Sequence, residues 1–79
     1  MQVSVVFFAF ARDRMNARTR TYDLAPGSTV ADLYRQHLAE PLRAPLEQWM
    51  FSVNREWARP DRVLAEGDEV AVIPPVSGG

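Results

Sequence analysis

The sequence predicts an α+β domain in two layers, a sheet of four to five strands with one main helix packed on one face. Three observations predict it. Short runs rich in β-branched and aromatic residues recur in the order β-β-α-β-(β)-β. Only one stretch, from Val30 to Leu38, carries a helical stripe. The chain, at 79 residues, has room for a single domain with a modest core.

The first strand is read from Val3 to Ala11, a run of valine, phenylalanine and alanine broken only by Ser4. Alternation sends Val3, Val5, Phe7 and Ala9 to one face and Ser4, Val6, Phe8 and Phe10 to the other. Both faces are largely apolar, which suits a central strand. Arg12 to Arg18, with Asp13 and Asn16, forms a polar connection of no assigned conformation. Thr19 to Leu24 is shorter and more polar, so it belongs near an edge. The two strands read as a hairpin.

Ala25-Pro26-Gly27-Ser28 is a turn cluster. Thr29 offers an N-cap oxygen, and Asp32 stands three residues on as the capping-box partner. Val30, Leu33, Tyr34, His37 and Leu38 then make one apolar stripe, with Asp32, Arg35, Gln36 and Glu40 off it. The helix is expected from about Val30 to Ala39, stopping before Pro41. Pro41 to Gln48, with two prolines, reads as a loop or at most a short turn of helix. Trp49 to Val53 is a third strand, turning at Asn54-Arg55-Glu56 into a short fourth around Trp57-Ala58. Arg59-Pro60-Asp61 breaks the chain. Gly67-Asp68 then turns it into the last strand, Glu69 to Ile73.

One helix can cover only one sheet face. If Val70 and Val72 point to the core, Phe8, Phe10, Trp57 and Ile73 are candidates for the other face. Two coverings stand open at this stage: a partner molecule, or the Pro41–Gln48 loop folded across.

Pro74 and Pro75 end the last strand, because proline has no N–H for a ladder and fixes φ. Residues 74–79, Pro-Pro-Val-Ser-Gly-Gly, have no apolar periodicity and are expected to project from a domain of residues 1–73. Six extended residues reach about 20 Å. The carboxylate of Gly79 is the expected reactive group.

Composition narrows the chemistry. Hydrophobic residues are 47% and charged residues 24% of the chain, ordinary for a globular protein. The absence of cysteine excludes disulfides, thiolate metal sites and cysteine nucleophiles. No apolar run approaches the ~18 residues of a membrane span. The apolar N-terminus lacks a basic lead-in and a small-residue cleavage site, so a cytoplasmic location is expected. All nine basic residues are arginine, net charge is −1, and no basic cluster stands out, so nucleic acid is not an expected partner. His37 reads as a residue packed at the core edge, and Glu66, Asp68 and Glu69 as a solvated turn. Trp49 is assigned to the core and Trp57 to the surface patch. No metal site is expected.

Several stretches together resemble one family. They are Val5-Val6-Phe7-Phe8-Ala9 followed by Arg12, Thr29-Val30-Ala31-Asp32-Leu33, Val53-Asn54, and Gly67-Asp68-Glu69-Val70-Ala71. The most specific is Ile73-Pro74-Pro75-Val76-Ser77-Gly78-Gly79. All resemble the small subunits of molybdopterin synthase, within the MoaD/ThiS-like sulfur carriers, over essentially the whole chain. Phe10 and Trp57 are bulkier than the family average, and Pro41–Gln48 is idiosyncratic.

The resemblance implies a ubiquitin-like β-grasp fold with a mixed sheet. It implies that an E1-like enzyme adenylates Gly79 with ATP, that a sulfur donor protein replaces the adenylate, and that a C-terminal thiocarboxylate results. That sulfur is then delivered to a cyclic pyranopterin precursor inside the large subunit, forming the molybdopterin dithiolene. The family assembles as a heterotetramer, two small subunits flanking a large-subunit dimer. Pro75, Val76, Ser77 and Gly78 would enter the partner's active site, and Phe8, Trp57 and Ile73 would dock on it. The chain itself would hold no tightly bound cofactor and would donate sulfur without supplying acid–base groups. Alternatives are a sulfur carrier for another pathway, such as thiazole formation, or a ubiquitin-like protein modifier.

Overall fold

The computed structural model describes residues 1–74; Pro75, Val76, Ser77, Gly78 and Gly79 lie outside the described residues. Strand β1 (Gln2–Phe7) is followed by a short helix α1 (Phe10–Met15) and strand β2 (Thr19–Asp23). Helix α2 spans residues 30–42. A 3₁₀ turn at Leu46–Gln48 leads to β3 (Met50–Val53), β4 (Glu56–Ala58) and β5 (Glu69–Ile73). The sheet order is β2-β1-β5-β3-β4. Only β1 and β5 run parallel; the other pairs are antiparallel, so the sheet is mixed.

Period-2 alternation explains the inner face. Val3, Val5 and Phe7 of β1, Phe51 and Val53 of β3, and Val70 and Val72 of β5 are all buried. They pack against Val30, Leu33, Tyr34, Leu38 and Leu42 of α2 in one core, which Trp49, Leu24 and Leu64 complete. His37 is half-buried at the edge of this stripe, its ring stacked on Tyr22 of β2 at 4.7 Å. The edge position of β2 follows its polar sequence.

Helix α2 starts where the sequence places it. Thr29 Oγ1 accepts from the Asp32 N–H at 3.2 Å, and Asp32 Oδ2 accepts from the Thr29 N–H at 2.9 Å, a complete capping box. The Val30 and Ala31 amides, which have no partner inside a helix, donate to the carbonyls of Arg62 and Pro60. The segment after β4 thereby closes the helix N-terminus.

Its end differs from the expectation. The helix passes through Pro41 to Leu42, carried by a π-helical turn at Tyr34–Leu38. The Ala39 N–H bonds back five residues to Tyr34, whereas the Arg43 N–H bonds back four to Ala39. Pro41 lies between these two registers, where its missing N–H falls at the change of ladder. Leu42 gains a fully buried place, and Arg43 closes the helix in a left-handed conformation.

Strand β1 also ends earlier than expected. Phe7 is its last residue, and Ala9 turns the chain at φ 51° into α1. Ala11 and Met15, one helical turn apart, are buried, and Asn16 caps the helix in the left-handed conformation at φ 53°. The polar connection is thus a helix that seals the core beside β1. Phe10 belongs to this helix and not to the sheet. Its ring packs 5.4 Å from that of Trp49, under the Arg14 guanidinium at 4.6 Å.

Candidate functional site

The sheet face turned away from α2 is open. The Pro41–Gln48 segment does not fold across it: Leu42 is buried in the core on the helix side, and Ala44 and Leu46 pack against that core. Register alone assembles the exposed face. Val6 pairs with Ala71, Ala71 with Ser52, and Ser52 with Trp57, giving one row across four strands. Ile73 pairs with Met50 in the next row, and the Phe8 N–H donates to the Val72 carbonyl at 3.4 Å, bringing Phe8 alongside.

Val6, Phe8, Ser52, Trp57, Ala71 and Ile73, together with Arg55 and Glu69, line a groove of about 440 Å³. Its lining is mostly apolar, with the Ser52 hydroxyl among Val6, Ala71 and Trp57, and Arg55 and Glu69 supply charge. Trp57 is 68% exposed, Met50 46% and Phe8 44%. Large apolar side chains this open and this close together are the ordinary mark of a surface that another molecule covers. The three sequence candidates Phe8, Trp57 and Ile73 therefore come together in one groove, and Phe10 does not join them. Val6, Met50, Ser52, Arg55, Glu69 and Ala71 were not singled out by sequence. Pairing register, which a single sequence does not state for Met50 and Ile73, was the missing signal.

Two local devices hold the groove in shape. Asn54 and Arg55, at φ 51° and 70°, make the tight turn that twists β3 into β4 and presents Trp57. Asn54 also ties this turn to the start of β5. Its Nδ2 donates to Asp68 Oδ1 at 2.9 Å, and its Oδ1 accepts from the Glu69 N–H at 3.0 Å. Asp68 Oδ2 in turn accepts from the Ala65 N–H at 2.8 Å. Gly67, at φ 81°, supplies the left-handed residue that this loop needs. Two of the stretches behind the family resemblance thus meet as one polar clasp.

The groove runs to the end of β5. Ile73 lies in its wall and Pro74, the next residue, is buried, so the root of segment 74–79 is fixed against the body. The sequence-stated residues Pro75, Val76, Ser77, Gly78 and Gly79 fall beyond the described part.

On the helix side, the Tyr34 hydroxyl donates to the Ala44 carbonyl and pins the segment after α2. The Trp49 indole N–H faces that hydroxyl without reaching hydrogen-bond geometry. Burial pushes the Tyr34 phenol above its ordinary range, and the neighbouring Trp49 N–H and Arg14 charge oppose that rise. Tyr22 is raised by burial as well, with Arg20 opposing. Both groups support the fold. Among the described residues no three His, Cys, Asp or Glu side chains gather as a metal site, and no helix is long and apolar enough to cross a membrane.

Comparison with known proteins fits this architecture. The ThiS family matches residues 5–79. The molybdopterin synthase sulfur carrier subunit of Chlamydomonas reinhardtii is 37% identical, with all of both chains covered. Among solved structures, SAMP1 from Haloferax volcanii, a small archaeal modifier protein, superposes with a TM-score of 0.81 at 29% identity, again covering all of both chains. A chain from the protein–protein complex of subunits 1 and 2 of molybdopterin-converting factor of Helicobacter pylori shares the fold at a TM-score of 0.71, with 24% identity and full coverage of both chains. The fold is the ubiquitin-like β-grasp.

Proposed function

Because this chain belongs to the ThiS family, we propose that it is the sulfur carrier subunit of a molybdopterin synthase, with Gly79 as the carrying residue. The observation that carries the reading is the full-length match to the algal sulfur carrier subunit at 37% identity, joined to a Pro-Pro-Val-Ser-Gly-Gly segment directly after β5.

A carboxylate is a poor electrophile. In the proposed cycle an E1-like enzyme uses ATP to convert the Gly79 carboxylate to an acyl adenylate and releases pyrophosphate. A sulfur donor protein then displaces AMP and leaves a thiocarboxylate. That sulfur is nucleophilic, and the large subunit presents it to the cyclic pyranopterin precursor for dithiolene formation. This chain carries the sulfur, and the partner supplies the acid–base groups. ATP is consumed on the activating enzyme and is no resident cofactor here.

Each residue of segment 74–79 has a physical role in that cycle. Gly78 and Gly79 have no Cβ, so they fit a narrow channel and leave the acyl carbon open to attack. Pro74 and Pro75 restrict the backbone and so reduce the entropy lost on insertion. Val76 offers an apolar contact and Ser77 a hydrogen-bonding one. Residues 1–73 act as the platform. Phe8, Trp57 and Ile73 form the docking surface for the large subunit and the activating enzyme in turn.

The test is a reconstituted synthase. Removal of Gly79 is expected to abolish dithiolene formation while large-subunit binding survives, because the groove is untouched. Retained product formation by that variant overturns the mechanism. A second reading, a modifier attached to lysines of other proteins, is favoured by the likeness to the Haloferax modifier. It uses the same activated carboxylate and is tested by looking for Gly79–lysine isopeptides in cells that express a tagged chain.

A further inference from the structure

We propose that the polar cavity around α1 receives an acidic segment of the large subunit, as a second contact beside the apolar groove. The inference rests on the sulfur-carrier reading and adds the chemistry of the partner to it.

Charge is the first argument. Residues 9–20 hold four of the nine arginines against a single acid, Asp13, whereas the rest of the chain has five arginines against nine acids. The basic charge is therefore gathered toward one segment, although no basic cluster was singled out from the sequence. Two of these arginines are committed to the fold. Arg14 donates to the Leu42 carbonyl and lies over the Phe10 ring, and Arg20 donates to the Met15 carbonyl at 3.0 Å. Arg12 and Arg18 are different. Both are exposed, both line an open cavity of about 590 Å³ shared with Asp13 and Asn16, and neither guanidinium bonds to a described residue.

Continuity is the second argument. Ala9 lies in the wall of this cavity, and the preceding residue, Phe8, lies in the wall of the groove. A partner that covers the groove and extends past Phe8 reaches Ala9, in the wall of the cavity that Arg12 and Arg18 line. Guanidinium forks match carboxylates in geometry as well as charge. Exposed charges at an interface rim act mainly on the association rate, by steering the encounter.

The experiment measures association of the full chain with the large subunit by stopped flow across a range of ionic strength. Three proteins are compared: the unaltered chain, Arg12→Gln with Arg18→Gln, and Arg12→Glu with Arg18→Glu. Circular dichroism monitors folding, which substitution of exposed arginines with no side-chain partner among the described residues should not alter. The unaltered chain is expected to associate more slowly as salt rises. The reversed variant should associate roughly tenfold more slowly at low salt, with a flattened salt dependence and a far smaller change in dissociation rate. The neutral variant should fall between. Equal rates and equal salt slopes in all three overturn the inference and leave the sulfur-carrier reading intact. Failure of the unaltered chain to bind the large subunit overturns both. If the reversed variant instead loses retention on heparin while its association rate is unchanged, the cavity is a polyphosphate site and the acidic-protein assignment is wrong.

Discussion

Trp57→Ala should cripple docking and spare the fold, and the structure sets the size of the effect. Trp57 is 68% exposed on a three-residue strand at the sheet edge, held there by the tight turn at Asn54 and Arg55. A tryptophan can bury roughly 250 Å², so about 170 Å² of this one remains for a partner to cover. At about 25 cal/mol per Å², full coverage stabilises the complex by up to ~4 kcal/mol. Incomplete coverage and side-chain ordering reduce this to about 2 kcal/mol, the usual threshold of a hot spot. That corresponds to a roughly 30-fold rise in Kd. The same substitution should change folding stability by no more than about 0.5 kcal/mol, because little of the ring is buried in the free chain. Titration calorimetry against the large subunit reads the first quantity, and urea unfolding reads the second. A Kd within threefold of the unaltered chain, with folding intact, would refute the assignment of this face as the docking surface.

Other perturbations separate platform from surface. Leu38→Ala, at a fully buried position of α2, should cost about 2–5 kcal/mol in urea unfolding through lost burial and a residual cavity. Thr29→Ala removes half of the capping box and should cost about 1 kcal/mol by the same assay, with docking unchanged. Phe8→Asp should raise the Kd for the large subunit at least as much as Trp57→Ala does, since docking would bury an unpaired charge; equal affinity would count against the groove. Stability should also decline in alkali. The folded state holds the Tyr34 and Tyr22 phenols above their ordinary value of 10.0, so below that pH the contribution is fully present. As pH climbs past 10.0 the unfolded chain loses these protons first, and stability falls until the folded groups ionise too. Tyr34→Phe should flatten the decline while costing about 1 kcal/mol for the lost bond to Ala44.

Much of this was legible in the residues because local signals agreed with the global fold. The alternation of Val3, Val5 and Phe7 and of Val70 and Val72 named the buried sheet face. The stripe from Val30 to Leu38 named the helix that covers it, and Thr29 with Asp32 named its start. Where the reading failed, a local rule was overridden. Pro41 ordinarily ends a helix, but here it lies just after a π turn, where the hydrogen-bond register changes, and the helix continues to Leu42. Phe8, Ala9 and Phe10 continue a strand-like composition, yet the strand ends at Phe7. Ala11 and Met15 at helical spacing, with Asn16 as a C-cap, carried the signal for α1 and were outweighed by the polar residues among them.

The site divides in the same way. Phe8 and Ile73 could be named from alternation, since each follows a buried residue, whereas Trp57 stands between an exposed Glu56 and a half-buried Ala58. Met50, Ser52 and Ala71 alternate with buried residues too, but what sets β3 beside β5, and so Met50 beside Ile73, is a long-range pairing that no local pattern encodes. The roles of Asn54 and Asp68 depend on a turn and a loop meeting across fourteen residues of chain.

The claim at the centre is that Gly79 carries sulfur. Incubation with the E1-like enzyme, ATP and a sulfur donor, followed by intact-mass measurement, tests it most directly. The expected result is a mass gain equal to one oxygen-to-sulfur exchange, located at Gly79 by fragmentation and absent when ATP is withheld. An unchanged mass after incubation with an activating enzyme shown to be competent on another carrier would contradict it.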